Sequence, residues 1–196
     1  YNSSGRVDYY YKSFTPLMDS VYNVKYVFYN TDVGNPPYLE PVGSSGGYYA
    51  YRNTLALPRA FAVSDSIKEW DTDHSDPFEV QNDFARRAVS DSDLTVYEPL
   101  TLTPDKSRSC GGGYRDGKVT IRVKGKLTLR AESDERKHLY ICVDCPDAQT
   151  ILISVGERQY AISDRDNFIT DLGWFEQGET FTVTVGGEEP VRGYVH

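Results

Sequence analysis

Apolar and polar residues alternate along the C-terminal half of the chain, and this pattern restricts the fold more than any other feature. In KVTIRVKGKLTLR the apolar side chains take alternate positions, and Gly125 lies in a predicted turn between the two strands of a hairpin. TFTVTV alternates in the same way, so Phe181, Val183 and Val185 are predicted to point inward. Several such strands bounded by Gly, Asp and Pro predict an all-β sandwich over residues 106–196, either jelly-roll-like or immunoglobulin-like.

The preceding segment, residues 1–105, mixes strand-like and helix-like patterns and therefore predicts an α+β subdomain. SVYNVKYVFYN and YYAYRN are rich in residues that favour strands, and RAFAV and LTVYEPL are predicted as shorter strands. Asp76, Pro77 and Glu79 have the order of a helix cap, a first helical residue and a capping-box partner. They predict an amphipathic helix at about residues 76–90 that packs on the sheet of this subdomain.

Charge and hydropathy argue against two classes of protein. The 196 residues carry a formal net charge of -8, which argues against general nucleic-acid binding because contacts with phosphates need a basic surface. No apolar run reaches the roughly 18 residues that a membrane span requires. The chain begins at Tyr1 and its only methionine is Met18, so we expect it to be a segment of a longer protein.

Four segments occur in an order that resembles the extracytoplasmic domain of the YfhO family of bacterial membrane proteins. They are YNVKYV, RNTLALPRAFAV, DPFEVQN and LGWFEQGETFTVTV, and the resemblance covers about residues 22–185. Asn23 stands where the family usually has a glycine before Val-Lys-Tyr. Asparagine tolerates a positive backbone angle better than most residues, so we expect the turn to survive this exchange.

The resemblance implies a function for a parent protein that is larger than this chain. Members of the family look like multi-span glycosyltransferases that take a sugar from a polyprenyl-phosphate donor, and some are linked to teichoic-acid glycosylation in Gram-positive cell envelopes. Their catalytic acidic residue is expected near the first membrane spans, outside this segment. The resemblance thus implies a non-catalytic extracytoplasmic domain that contacts its own transmembrane region and helps to position the acceptor. No cofactor and no nucleic-acid partner are expected.

A row of cations on the predicted hairpin is the strongest candidate for a binding site. The outward positions alternate with the apolar ones, and most of them are basic. We hypothesise that this face contacts phosphate, either in an anionic cell-wall polymer or in lipid headgroups. The alternative is a solvated strand face whose charges discourage aggregation. The predicted binding residues are Lys118, Arg122, Lys124, Lys126 and Arg130, and the other outward positions are Thr120 and Thr128.

The other motifs favour structural roles. Cys142 and Cys145 could join His138 and Cys110 in a zinc site, but a single Cys-x-x-Cys pair is weak evidence, so ordinary thiols beside a strand are favoured and no metal is expected. WDTDHSDP lacks the glycine and the glutamate of a calcium loop, which favours a polar loop that ends in a helix cap. SCGGGYRDG is predicted to be a flexible linker.

Tyrosine content leaves a second function open. Tyr48, Tyr49 and Tyr51, together with the tyrosines at positions 9–11, offer faces on which sugars can stack, although such side chains more often fill strand faces. The alternative function is therefore a carbohydrate-binding β-sandwich module without enzymatic activity. A hydrolase or metal enzyme is a third class, but with no Gly-x-Ser-x-Gly motif and few histidines we do not expect an active site within this segment.

Overall fold

The computed structural model describes residues 15–30, 32–34, 36–162 and 168–196, which form two antiparallel sheets and short helical segments. The helical elements are α1 (Pro16–Val21), a 3₁₀ helix (Asp65–Glu69) and α2 (Pro77–Val89). The strands are β1 (Tyr26–Tyr29), β2 (Leu39–Ser45), β3 (Tyr48–Asn53), β4 (Thr103–Pro104), β5 (Cys110–Arg115), β6 (Lys118–Glu132), β7 (Lys137–Asp144), β8 (Thr150–Val155), β9 (Arg158–Ala161), β10 (Ile169–Phe175), β11 (Thr180–Gly187) and β12 (Val191–Val195).

The smaller sheet has the order β1-β3-β2 and contains the strand predicted for YYAYRN. Val27, Leu39 and Tyr51 bury one face of it, and Tyr38 joins the same cluster. Tyr51 also fixes the loop after β1, because its hydroxyl donates a hydrogen bond to the Asp32 carboxylate at 2.9 Å. The prediction of strands in this region is therefore confirmed for YYAYRN and for the end of SVYNVKYVFYN.

α1 precedes the shortened β1. Pro16 takes the first helical position, and the Thr15 hydroxyl accepts a hydrogen bond from the Met18 amide at 3.4 Å. These features stabilise the start of a helix. The prediction of a strand is therefore wrong for the beginning of SVYNVKYVFYN, where Ser20 and Val21 belong to α1. Asn23 has φ 58°, which is the left-handed conformation expected from the glycine that it replaces in the family pattern.

α2 confirms the predicted amphipathic helix and its cap. The Asp76 carboxylate accepts hydrogen bonds from the amides of Phe78 at 2.9 Å and Glu79 at 3.4 Å. The helix ends at Ser90, which has a left-handed backbone conformation. A left-handed residue at this position ends the helix, and the Asp91 amide donates a hydrogen bond to the Arg86 carbonyl at 3.0 Å.

The packing predicted for α2 on the smaller sheet is wrong. Its contacts are instead with the 3₁₀ helix and its end, where Trp70 lies edge-on to Phe84 with a ring-centroid distance of 5.1 Å. The Trp70 indole also donates a hydrogen bond to the Val80 carbonyl at 2.9 Å. The helix also contacts Tyr97 through Phe78 and Thr15 through Gln81, but the core of the smaller sheet contains none of its described residues.

Neither RAFAV nor LTVYEPL forms a strand in the structure, so these two predictions are wrong. The Asn82 carboxamide oxygen accepts hydrogen bonds from the amides of Val96 at 3.0 Å and Tyr97 at 2.9 Å. Its amide group donates to the Tyr97 carbonyl at 2.9 Å. Because a buried side chain satisfies this backbone, LTVYEPL needs no partner strand despite its apolar composition.

β6 is one continuous strand of 15 residues, so the predicted hairpin is wrong. Lys124 has φ 55°, but Gly125 remains in the strand and pairs with Gly187. A Cβ atom on Gly125 would lie 2.4 Å from Ile121 Cγ2 and 2.6 Å from the Arg122 carbonyl oxygen. The glycine thus permits a bulge and a close approach within one strand rather than a turn between two.

The larger sheet confirms the predicted β-sandwich class. Its order is β10-β7-β12-β6-β11-β8-β9, and β4 and β5 also pair with β6. β12 pairs with the first residues of β6 and β11 with the later ones, so β6 belongs to two halves of the sheet. Side chains of both halves form one core, in which Phe181, Val183 and Val185 point inward as predicted.

Two further segments differ from the prediction. SCGGGYRDG is not a linker, because residues 110–115 form β5, and a Cβ on Gly112 would lie 3.0 Å from Leu127 Cβ. VRGYV forms β12, which was not predicted. The subdomain boundary between residues 105 and 106 stays a prediction, and β4 before it already pairs with β6.

The described residues before β4, here called the N-terminal region, pack on the outer face of the larger sheet. Leu139 and Ile141 of β7 lie in the core, so His138 and Tyr140 point to the opposite face. There the Tyr140 hydroxyl lies 3.4 Å from the Tyr38 hydroxyl of the N-terminal region. This contact holds one side of a cleft between the two parts.

Candidate functional site

The five predicted binding residues all lie exposed on β6. Val119 and Ile121 are buried in the core, so the neighbouring Lys118 and Arg122 point to the outer face of the sheet. Lys124 lies at the bulge, where the backbone is left-handed. The predicted exposure of the cations is therefore confirmed, although the hairpin that was to present them does not exist.

The cations separate into two groups along the strand. Lys118 and Arg122 precede the bulge at Lys124, and Lys126 and Arg130 follow it. Lys126 and Arg130 lie in the half that pairs with β11, and Arg130 forms a 3.5 Å ion pair with Glu132. Thr128 between them was predicted to face solvent but is buried, because the turn before β5 covers it. The bulge and the buried Thr128 therefore interrupt the predicted row of five cations.

An arginine that the sequence analysis did not consider completes the first group. Arg192 of β12 is exposed and pairs with Thr120, between Lys118 and Arg122 on the same face. On the other side, Thr120 pairs with Gly113 of β5. A Cβ atom built on Gly113 would have no neighbour within 4 Å, so this side of the strand is open. We call Lys118, Arg122 and Arg192 the basic patch. Within the described ranges, none of the three residues forms an ion pair.

A cleft of about 930 Å³ lies between the N-terminal region and the part of the larger sheet formed by β7 and β12. Its lining includes outer-face side chains such as His138 and Tyr140 and also core side chains such as Ile141 and Phe181. Its volume is in the range of small-molecule sites, which usually combine aromatic walls with a few polar groups. Rings and imidazoles contribute much of the lining. They are Tyr38, His74, Phe78, Tyr97, Tyr114, His138, Tyr140, Phe181 and His196.

Four rings form one continuous wall of the cleft. The ring centroids of Phe78 and Tyr97 are 5.6 Å apart, and those of Tyr97 and Tyr140 are 6.0 Å apart. His138 continues the wall at 5.1 Å from Tyr140. Trp174 of β10 lies edge-on to His138, with a ring-centroid distance of 5.2 Å. These distances are those of favourable aromatic contacts, so each ring helps to fix the orientation of the next.

Two histidines at the cleft each use only one ring nitrogen. His138 Nε2 lies 2.7 Å from the Asp171 carboxylate, and His196 Nδ1 lies 3.4 Å from the Asp76 carboxylate. The second nitrogens, Nδ1 of His138 and Nε2 of His196, are buried and have no hydrogen-bond partner among the residues that the structure describes. Since buried polar atoms normally have partners, each of these two nitrogens has unused hydrogen-bonding capacity.

Asp76 connects α2 to the C-terminal strand. Burial acts to raise the pKa of its carboxyl group, but the His196 imidazole and the amides of Phe78 and Glu79 outweigh this effect, so the pKa lies below its usual value. The carboxylate is therefore charged at neutral pH. It acts both as the helix cap and as one of the contacts between the two walls of the cleft.

Burial raises the pKa of the tyrosines around the cleft. The pKa of Tyr29, which packs against the core of the smaller sheet and not in the cleft, also rises to about 12. The pKa values of Tyr38 and Tyr140 are raised too, first by burial, and the Asp171 charge adds to the effect because it disfavours a second negative charge nearby. These side chains are therefore neutral phenols at neutral pH and can both donate and accept hydrogen bonds.

The raised pKa values predict that the protein loses stability in alkali. Because the phenols of Tyr38 and Tyr140 ionise more readily in the unfolded chain, their contribution is complete below about pH 10 and declines as the pH rises further. Urea unfolding at about pH 8 and about pH 11 should show a lower midpoint at the higher pH. Tyr140→Phe should reduce this difference, and equal midpoints for the wild type at both pH values would contradict the prediction.

The cysteines are placed as ordinary thiols beside strands. Cys142 and Cys145 are buried, and burial raises the pKa of each thiol to about 12. Burial therefore favours the neutral thiol form of both side chains. His138 contacts Asp171 instead, and Cys110 is exposed. No group of three metal-ligating side chains occurs in the part of the chain that the structure describes.

WDTDHSDP forms the predicted polar loop before α2. The Asp71 carboxylate accepts a hydrogen bond from the Asp73 amide at 2.9 Å, and His74 Nδ1 accepts one from the Asp76 amide at 3.1 Å. The acidic side chains thus hold the turn that leads into the helix cap. This geometry confirms the polar-loop interpretation of the motif.

Of the tyrosines considered for sugar stacking, Tyr48 is exposed and Tyr51 is buried, while positions 9–11 lie outside the described residues. The cleft uses other rings, which sequence reasoning missed. The sequence pattern that could have indicated them is the alternation of His138 and Tyr140 with the core residues of β7. That alternation indicates that β7 has an outer face, but it does not indicate which segment of the chain packs on this face.

Comparison with known proteins gives one match. A family model described as bacterial membrane protein YfhO matches residues 2–192. No curated protein and no solved structure matches the chain. Among the described residues, no helix is both long enough and apolar enough to cross a membrane.

Proposed function

Because the chain belongs to the YfhO family of bacterial membrane proteins, we propose that it is a non-catalytic extracytoplasmic domain of a membrane glycosyltransferase. The acceptor is an anionic cell-envelope polymer of the teichoic-acid type. The domain holds this polymer while the transmembrane region of the same protein carries out the sugar transfer. The observation that carries the proposal is the basic patch on the outer face of the larger sheet.

The basic patch has the chemistry of a phosphate site. Arg122 and Arg192 present planar guanidinium groups that can hold a phosphate through two hydrogen bonds, and Lys118 adds a compact positive charge. All three residues are exposed on neighbouring strands of one rigid sheet. Because none of the three forms an ion pair within the described ranges, each can donate hydrogen bonds to a phosphate without first breaking one.

The contrast between the patch and the whole chain supports a specific contact with a polyanion. The net charge of -8 repels a polyanion from most of the surface. Attraction is therefore confined to the few places where cations gather. Binding through exposed charges is screened by salt, so polymer affinity should fall as the ionic strength rises.

A carbohydrate-binding module is the second candidate function, and the aromatic cleft favours it. Walls of stacked rings with polar groups between them suit sugars, whose rings have an apolar face and hydroxyl edges. This function needs no phosphate. Affinity for neutral glycans combined with no affinity for a phosphate polymer would favour it over the first proposal.

Charge reversal at the basic patch tests the first proposal. We expect Arg122→Glu combined with Arg192→Glu to weaken binding to poly(glycerol phosphate) by about tenfold or more at low salt, because attraction at two positions becomes repulsion. Isothermal calorimetry at low and moderate salt would measure the affinity and its salt dependence. The variant should also depend less on salt than the wild type.

The matched control carries the same change of charge elsewhere. Lys25 and Arg59 are exposed cations of the N-terminal region, so Lys25→Glu combined with Arg59→Glu should bind poly(glycerol phosphate) nearly as well as the wild type. Equal losses in both double variants would mean that net charge and not the basic patch governs binding. Vesicles with anionic headgroups form a separate arm, and binding to vesicles without binding to the polymer would assign the patch to the membrane surface.

A further inference from the structure

We propose that the cleft binds one neutral sugar unit of the polymer whose phosphates contact the basic patch. The inference rests on the proposed function for the identity of the polymer, whereas the sugar site depends only on the residues that line the cleft. The cleft would bind the sugar independently of the contact between the basic patch and the phosphate. The cleft and the patch would together recognise a glycosylated phosphate polymer.

The aromatic wall supplies the apolar part of a sugar site. Phe78, Tyr97 and Tyr140 form an unbroken series of ring contacts, with centroid distances of 5.6 and 6.0 Å. A pyranose ring has one face of C–H groups that can lie against such rings. Because the rings already contact one another, little conformational entropy remains to be lost on binding.

The two unsatisfied imidazole nitrogens supply the polar part. Nδ1 of His138 and Nε2 of His196 are buried without partners, and both residues line the cleft. A sugar hydroxyl can donate to either nitrogen or accept from it, whichever tautomer is present. The phenol of Tyr38, which also lines the cleft, offers a further hydroxyl. A purely apolar ligand would leave these groups unsatisfied.

The charge of the cleft walls selects against an anion. The acidic residues of the lining are Asp76, Glu79, Glu98, Asp116 and Glu135, whereas Lys137 is its only lysine or arginine among the described residues. Lys137 is also engaged, since its amino group lies 3.2 Å from the Glu135 carboxylate. Glu79 and Asp116 are likewise paired, with Arg86 and Arg115. The described walls therefore offer a phosphate no lysine or arginine that is not already engaged, so a neutral unit fits best.

The cleft and the basic patch share one continuous sheet face. Tyr194 of β12 stacks on His196 with ring centroids 5.6 Å apart and an interplanar angle of 15°. Tyr194 also pairs directly with Lys118 of β6. Since neighbouring strands are about 4.8 Å apart, the patch begins one strand from the wall of the cleft. One polymer can therefore place a sugar in the cleft and a phosphate at the patch.

Three probes separate the sugar from the phosphate. Maltotetraose and chitotetraose are neutral glycans, whereas poly(glycerol phosphate) carries phosphate without sugar. Val96 lines the cleft and is 40% exposed, so Val96→Trp should fill the opening. We expect at least one neutral glycan to bind the wild-type chain and to bind this variant at least about tenfold more weakly, with binding of poly(glycerol phosphate) unchanged. Val42→Trp is the control, because Val42 is exposed on β2 and does not line the cleft.

The outcomes distinguish the two proposals. If neither neutral glycan binds the wild-type chain, or if Val96→Trp and Val42→Trp behave alike, the sugar site is wrong. If a neutral glycan binds as expected but poly(glycerol phosphate) does not bind, the sugar site stands and the proposed phosphate contact is wrong. Nuclear magnetic resonance of the wild type adds a readout without any variant: glycan binding should shift the imidazole signals of His138 and His196. Binding that leaves both signals in place would contradict the assignment of the cleft.

Discussion

Replacing Gly193 with alanine should lower the free energy of unfolding by about 3 kcal/mol or more. Gly193 lies in β12, and a Cβ atom there would be 2.0 Å from the Asp144 carbonyl oxygen and 2.7 Å from Cys145 Sγ. The first neighbour is backbone and cannot rotate away. The new methyl group therefore has to push β12 from the end of β7, and both strands contribute to the core. Urea unfolding followed by circular dichroism would measure the loss.

Gly113 provides a matched control for this substitution. It lies in β5 of the same sheet, and nothing lies within 4 Å of the position that its Cβ would take. Gly113→Ala should leave the stability unchanged or raise it by up to about 1 kcal/mol, because alanine reduces the freedom of the unfolded chain. If Gly193→Ala were as stable as Gly113→Ala, the close approach of β12 to the end of β7 would be wrong.

The sequence predicted the sandwich well because a strand with one buried face leaves a clear alternating pattern. β11 is an example, since Phe181, Val183 and Val185 all point into the core as the pattern requires. The helix at α2 was equally predictable, because its cap depends on Asp76 and on amides two and three residues later. Local chemistry decides both features, so no knowledge of distant residues was needed.

The errors occurred where distant residues decide the structure. A glycine in an alternating run, such as Gly125, is compatible with a turn or with a bulge, and only the pairing with Gly187 of β11 makes it a bulge. LTVYEPL has strand-like composition, but the carboxamide of Asn82 takes its backbone hydrogen bonds. Neither partner can be identified from the local sequence.

The candidate site was predictable only in part for the same reason. Alternation along β6 identified the exposed cations, but Arg192 joins Lys118 and Arg122 through the pairing of β12, which was not predicted. The cleft depends on contacts across the chain, such as that between Tyr97 and Tyr140. Its residues become neighbours only when the N-terminal region packs on the sheet.

Replacing Asp76 with alanine should lower the free energy of unfolding by about 2 kcal/mol, which is the upper range for loss of a helix cap. The substitution removes the acceptor of the Phe78 and Glu79 amides and also the carboxylate that lies 3.4 Å from His196 Nδ1. Asp76→Asn separates these two contributions, because asparagine caps helices about as well as aspartate but carries no charge. We expect its stability to lie between those of the wild type and Asp76→Ala.

The pH dependence gives the Asp76 prediction a second test. Since the pKa of Asp76 is lower in the folded protein, its charge stabilises the fold above the carboxyl pKa of the unfolded chain, and this contribution is lost as the pH falls through the folded value. The stability difference between the wild type and Asp76→Asn should therefore shrink as the pH falls below about 5. Asp73→Ala is the control, because this exposed aspartate lies in the same loop but does not cap α2. An equal loss in Asp73→Ala and Asp76→Ala would mean that loop charge, and not the connection between helix cap and C-terminal strand, stabilises the walls of the cleft.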